Sequence, residues 1–184
     1  IKVRRLPLCF TSWAPKVLTW SVLTTSSCLS FPSFKDKVMA RKVFFSFQYE
    51  DVQRAMNVRN SNVIASDTKA GFIDKADFEE VERKGDAAIK KWINDQLHGT
   101  SVTVVLIGAT TNKSKWVKYE IEQSIERGNG ILTIDISKIA DLKGNTTDCC
   151  SLRVPGTTHY LWNNGNGREN IGKWVEAAAK TAGK

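Results

Sequence analysis

The sequence predicts an α/β domain built on a central parallel sheet with helices against it, and three observations carry that expectation. From Met39 onward, stretches of strand and helix periodicity alternate, which is the pattern of parallel βαβ units. The run from Val102 to Ile107 is largely β-branched and wholly without charge, as a strand covered on both faces must be. The chain has 184 residues, 41% hydrophobic and 25% charged, enough for one folded domain with some surplus and too little for two.

Val43 to Phe47 reads as the first buried strand, and Tyr49 to Arg59 as a short helix. Asn62 to Ser66 reads as a second short strand, followed by a turn at Lys69 to Gly71 and a mixed, charged stretch to Gly85. After Asp86, which is placed to cap a helix, Ala88, Ile89, Trp92, Ile93 and Leu97 recur at helical spacing, and Gly99 is placed to stop it. Val102 to Ile107 is the expected middle strand. Lys115 to Arg127 is amphipathic and ends at Gly128, and Ile131 to Ile136 supplies a further strand. Beyond Ser137 the chain reads as loop to about Asn166. Glu169 to Ala182 then forms a terminal helix with Ile171, Trp174, Val175 and Ala178 on one side.

Residues 1–38 differ in texture, being rich in Ser, Thr and Pro with scattered Trp. They read as an extension, disordered or extraneous, with the domain occupying residues 39–184 and Met39 the expected start of translation. Lys2, Arg4 and Arg5 followed by short apolar runs imitate a targeting peptide, but Lys16, Thr19 and Ser21 interrupt the apolar stretch and no small-x-small cleavage site stands out. No run approaches the roughly 18 apolar residues of a membrane span.

The formal net charge of +8 is concentrated in the same extension, which holds six basic residues and one acid. What remains mixes both signs without a basic block interleaved with aromatics, so a nucleic-acid footprint is not expected, nor is a membrane partner. Cys9, Cys28, Cys149 and Cys150 have no CxxC spacing, and only two histidines, His98 and His159, are present. That pattern fits a reducing, cytoplasmic setting and no structural metal.

The usual catalytic and phosphate-binding signatures are missing. There is no GxxxxGK[ST], GxSxG or HExxH, and Gly165 to Asn170, a near miss to GxGxxG, follows a polar loop and reads as a turn. An open parallel sheet binds ligands beyond the carboxyl ends of its strands, so the segments after Phe47, Ile107 and Ile136 are the ones to search. There, Trp116 and Glu120 stand four apart and share one side of a helix, beside a core stripe of Val117, Ile121, Ser124 and Ile125. Taken alone, that spacing favours an aromatic at the core margin and a solvated acid over an active site.

Several separated segments add a resemblance: Arg41 to Asp51, Arg54 to Asn60, Gly71 to Asp74, Ser101 to Gly108 and Ser114 to Glu120. In that order they resemble the TIR-like family typified by the MTH538 group, which includes the ThsB proteins of Thoeris antiphage defence, and Tyr160 to Ala179 resembles its closing segment. The resemblance implies a flavodoxin-like TIR fold, its central parallel sheet flanked by helices on both faces. It also implies cleavage of NAD, as substrate and not cofactor, at the nicotinamide–ribose bond. Ser114, Trp116 and Glu120 occupy the positions of a Ser-x-Trp-Cys-x-x-Glu pattern, with Val117 where the cysteine stands, and Glu120 is thereby the expected catalytic carboxylate.

Nicotinamide departs as a neutral molecule from a cationic pyridinium, so no general acid is needed and one carboxylate suffices. Phe47, Phe72 or Trp116 is expected to stack on a ring of the substrate, Arg59 or Lys113 to offset pyrophosphate charge, and Ser114 to bind substrate as well. Ser46 either touches substrate or satisfies a turn, and Asp51 and Asp74 are either polar supports of the site or a helix cap and a loop acid. By resemblance the product is a cyclic ADP-ribose-type signal read by a separate effector, and the domain self-associates. The competing expectation is a noncatalytic TIR adaptor or scaffold: NAD cleavage expects Glu120 to lie with Phe47 and Ser46 in one cleft, whereas an adaptor expects Glu120 to point into bulk water.

Overall fold

The computed structural model describes residues 41–61 and 80–184. The extension, the strand expected at Asn62 to Ser66, and Phe72 and Asp74 lie outside the described residues. Within them the chain runs β1 (Val43–Ser46), α1 (Val52–Arg59), α2 (Asp86–Leu97), β2 (Val102–Ile107), α3 (Lys115–Glu126), β3 (Gly130–Asp135), β4 (Thr158–Leu161) and α4 (Gly167–Thr181). The four strands form one sheet in the order β1-β2-β3-β4, with every pair parallel. Ser46 pairs with Val105, Ile107 with Asp135, and Asp135 with Leu161, which aligns the carboxyl ends along one rim.

All six residues of β2 are buried, as its uncharged run requires. Alternation sends Val43, Phe45, Val104 and Leu106 to one side, where they meet Ala55 and Val58 of α1 and Ile171, Val175 and Ala179 of α4. On the other side Phe44 meets Ile89, Ile93 and Leu97 of α2, and Val105 and Ile107 meet Val117 and Ile121 of α3. Helices therefore cover both faces, and each fully buried aliphatic side chain contributes about 1.5–3 kcal/mol of hydrophobic stabilisation. Val117, at the place of the family's cysteine, is 1% exposed and belongs to this packing.

Three local expectations are corrected. Asp86 does not cap α2: the N-cap is Gly85, and Asp86 is the first helical residue, its carboxylate 3.0 Å from Lys115 Nζ of α3. The stretch read as loop to Asn166 contains β4, an edge strand whose Tyr160 stacks on Trp174 of α4 at 4.2 Å between ring centroids. The terminal helix begins at Gly167, two residues earlier than its apolar period indicated. Gly165 and Gly167 serve a turn into that helix, and a Cβ on Gly167 would collide with the Trp162 ring.

Candidate active site

Ser46 is the last residue of β1, and its side chain points to the same face as Phe44, toward α2 and α3. Its hydroxyl donates to Glu120 Oε2 of α3 at 2.6 Å. Glu120 is held from behind by its backbone. Its carbonyl accepts from Ser124 Oγ at 2.6 Å, and Ser124 Oγ lies 2.7 Å from the buried Thr103 hydroxyl of β2. Glu120 is half-buried, and desolvation pushes its pKa up to about 8, opposed by the Ser46 hydroxyl, which favours the charged form.

Ser114 starts the helix. Its Oγ accepts from Val117 N at 3.3 Å, which commits the hydroxyl to the N-cap. One turn before Glu120, the half-buried Trp116 packs on the Phe44, Ile89, Ile93 and Leu97 cluster, edge-on to Tyr119, with Lys115 Nζ 4.5 Å from its ring. Lys113 is exposed at the end of the short helical turn Thr111–Lys113 that leads into α3. Ser46, Glu120 and Trp116 are thus gathered on one side of the sheet, with Lys113 on the approach to it.

Phe47 and Arg59 are not gathered there. Alternation beyond Ser46 turns Phe47 to the opposite face, where it packs against the α1 and α4 cluster. Arg59 lies in the last turn of α1, on that same opposite face and about 10 Å along the helix from its start. Its guanidinium reaches Met56 Sδ at 4.0 Å.

One polar group exceeds what the sequence indicated. Asp51 is 4% exposed, its Oδ1 accepting from Arg54 Nη1 at 3.2 Å, and burial pushes its pKa up while Arg54 pulls it down. Arg54 also donates to the carbonyls of Ile139 at 2.9 Å and Asn145 at 3.2 Å, tying the segment after β3 to α1. The Asp51 carboxyl fills the space a Cβ on Gly108 would take, at the end of β2. The spacing of Asp51 and Arg54 permitted an ion pair on a helix, but nothing in it announced burial. Among the described residues, the buried oxygens without a hydrogen-bond partner are Asp51 Oδ2, Asn112 Oδ1, Ser137 Oγ and Thr147 Oγ1, all on segments that follow β1, β2 and β3. Polar surplus collects at the carboxyl rim.

Elsewhere the described residues carry less chemistry. A cleft of about 270 Å³ opens at the amino ends of β3 and β4 among Ile125, Ile131, Tyr160 and Trp174, with no carboxylate, histidine or cation in its wall. Cys149 and Cys150 are free and half-buried, and burial beside Asp135 pushes the Cys149 thiol up to about 11, away from thiolate chemistry. Among the described residues no group of three or more His, Cys, Asp or Glu could hold a metal ion, and no helix is long and apolar enough to cross a membrane.

Two comparisons bear on this arrangement. A relative from Bacillus cereus (strain MSX-D12), whose curated name is "Putative cyclic ADP-D-ribose synthase ThsB1", is 46% identical over 110 residues, 58% of this chain. The match covers 57% of that relative's own length. The family model described as "Thoeris protein ThsB, TIR-like domain" matches residues 44–141, a span from β1 past β3 that includes Ser46, Trp116 and Glu120. With more than half of its length matched and the parallel sheet flanked by helices in place, the chain belongs to the family of ThsB TIR-like domains.

Proposed function

We propose that the protein cleaves NAD at the nicotinamide–ribose bond, with Glu120 as the catalytic carboxylate, and releases a cyclic ADP-ribose-type signal. The observation that carries this reading is the position of Glu120: half-buried, hydrogen-bonded to Ser46, and at the carboxyl rim where an open parallel sheet takes its ligands. An adaptor would have no use for a desolvated acid at that place, whereas glycosidic cleavage uses one directly. As the bond to the pyridinium lengthens, positive charge moves onto the ribose, and a fixed carboxylate beside it stabilises that charge without reorganisation. Nicotinamide leaves neutral, so no acid need protonate it.

In this reading Ser46 keeps Glu120 oriented and favours its ionised form. Trp116 lends a ring to stack on the substrate, and Lys113 meets the pyrophosphate. Phe47 and Arg59, on the far face of the sheet, take no direct part. The relative's name supports a cyclised product. The same proposal includes self-association of the TIR domain and a separate effector that reads the signal, as the resemblance implies.

The test is mass-spectrometric analysis of NAD incubated with concentrated protein and with its Glu120→Gln variant, with and without phage-infected lysate. Nicotinamide accompanied by a product one water lighter than linear ADP-ribose, both abolished by the substitution, supports the reading. A product of the mass of linear ADP-ribose reassigns it to hydrolysis. Intact NAD in every arm returns the protein to the adaptor class.

A further inference from the structure

Glu120 is a half-buried acid that, among the described residues, has no counter-charge. Among the described residues its side-chain partner is the neutral Ser46 hydroxyl, and no cation lies within ion-pairing distance of it. The charged groups on elements packed against α3 are engaged elsewhere. Lys115 binds Asp86 of α2 and covers the Trp116 ring, Lys90 of α2 lies 5.4 Å from the Tyr119 ring, and Lys91 pairs with Asp95. Arg127, just past the end of α3, donates to Asn94 of α2. From β1 and β2 the groups turned toward α3 are hydroxyls, Ser46 and Thr103. On β3, Asp135 accepts from Ser137 N, and Lys113 on the preceding turn is exposed.

Resting on the NAD-cleavage reading, we propose that Glu120 is a charge filter. The free protein holds it as a neutral acid on Ser46, and a cationic N-glycoside supplies the missing counter-charge, expelling the proton to solvent. The balance is simple: the O–H bond of Glu120 breaks, its proton goes to water, and the carboxylate left behind faces the pyridinium-bearing ribose. Opposite charges brought together where water is excluded attract far more strongly than in bulk, so the gain is largest for the ligand that carries the cation. The desolvation that lifts the carboxyl to about 8 supports the resting state, and at neutral pH most of the acid is then protonated. NADH has the same adenine, riboses and pyrophosphate but a neutral dihydropyridine, and it gains nothing from the proton's departure. The site therefore discriminates between the two redox forms at binding, before any bond is cleaved.

Isothermal titration calorimetry of the full chain tests this, using two probes: the carbocyclic analogue of NAD, which keeps the pyridinium but resists cleavage, and NADH. Each is titrated from about pH 6 to about pH 8 in buffers of different ionisation enthalpy. The analogue is expected to release close to one proton at the lower pH values, and its affinity to rise by up to about tenfold per pH unit. NADH is expected to bind more weakly, with no proton release and a flat pH profile. Ser46→Ala moves the bend in the analogue's profile to higher pH, and Glu120→Gln abolishes both the proton release and the preference. Equal binding of the two probes, or binding of the analogue without proton release, overturns the proposal. If nicotinamide release from NAD still depends on Glu120 in that case, the cleavage reading survives alone. If neither probe binds and no nicotinamide appears, both fall together.

Discussion

Ser46 at the end of β1 and Glu120 in α3, 74 positions apart in the chain, meet in a 2.6 Å hydrogen bond that joins the first strand to the helix after the second. The contact depends on parity and register together. Ser46 shares a face with Phe44, and its pairing with Val105 sets it level with the part of β2 that α3 covers. A serine hydroxyl there compensates part of the cost of enclosing a carboxyl, and the remainder is what makes the carboxyl's charge state responsive to its surroundings.

The pH dependence of activity follows. In the proposed reaction catalysis requires the carboxylate, and kcat/KM reports the free enzyme, in which desolvation pushes the Glu120 carboxyl up to about 8. The expected profile of kcat/KM for NAD rises with pH and levels off above that value. Ser46→Ala removes the bond that favours the charged form, so the bend moves upward. A profile that is flat, or that falls over the same range, contradicts the assignment.

Stability is expected to show the same group with the opposite sense. In the folded state Glu120 binds its proton more tightly than in the unfolded chain, where the ordinary value is 4.5. Between those two values the native state carries more protons, so its stability falls as pH rises, by up to about 1.4 kcal/mol per unit. Glu120→Gln removes this loss. Thermal melts of wild type and variant should agree near the acid end and separate toward pH 8, with the variant higher, and parallel curves would count against a desolvated Glu120.

Arg54 is expected to matter for folding more than for chemistry. Arg54→Met strands the Asp51 carboxyl in a buried position and frees two carbonyls beyond β3, a loss on the order of 3–5 kcal/mol. Urea denaturation measures it directly. Pairing the change with Asp51→Asn should recover part of the loss, since no uncompensated buried charge then remains, and strict additivity would show that the two residues are not coupled.

Gly108→Ala places a methyl where the Asp51 carboxyl sits. Overpacking of this kind costs about 1–3 kcal/mol. The denaturation midpoint should fall accordingly, and the methyl should cost less in an Asp51→Ala background, where the carboxyl it meets is already gone. An unchanged midpoint for Gly108→Ala would mean that the carboxyl is free to move aside.

Much of the fold was legible because burial on both faces leaves a strong mark. The run from Val102 to Ile107 could be little other than a central strand, and the apolar period after Asp86 fixed α2. Thr158 to Leu161 left no such mark, since β4 is a short edge strand with its flanks half in water. For the site, helical spacing put Trp116 and Glu120 on one side, and strand parity could already have set Phe47 opposite Ser46. The bond between Ser46 and Glu120, and the burial of Asp51 with Arg54, depend on how β1, β2 and two helices pack, which local periodicity does not encode.

The central claim is that Glu120, held by Ser46, serves the cleavage of the nicotinamide–ribose bond, and the most direct measurement is nicotinamide release from NAD by wild type and Glu120→Gln at equal, high protein concentration. The account predicts release by the wild type, faster at pH 8 than at pH 6, and a loss of at least about a hundredfold in the variant while it remains folded. Release that persists undiminished in a folded Glu120→Gln protein would contradict it.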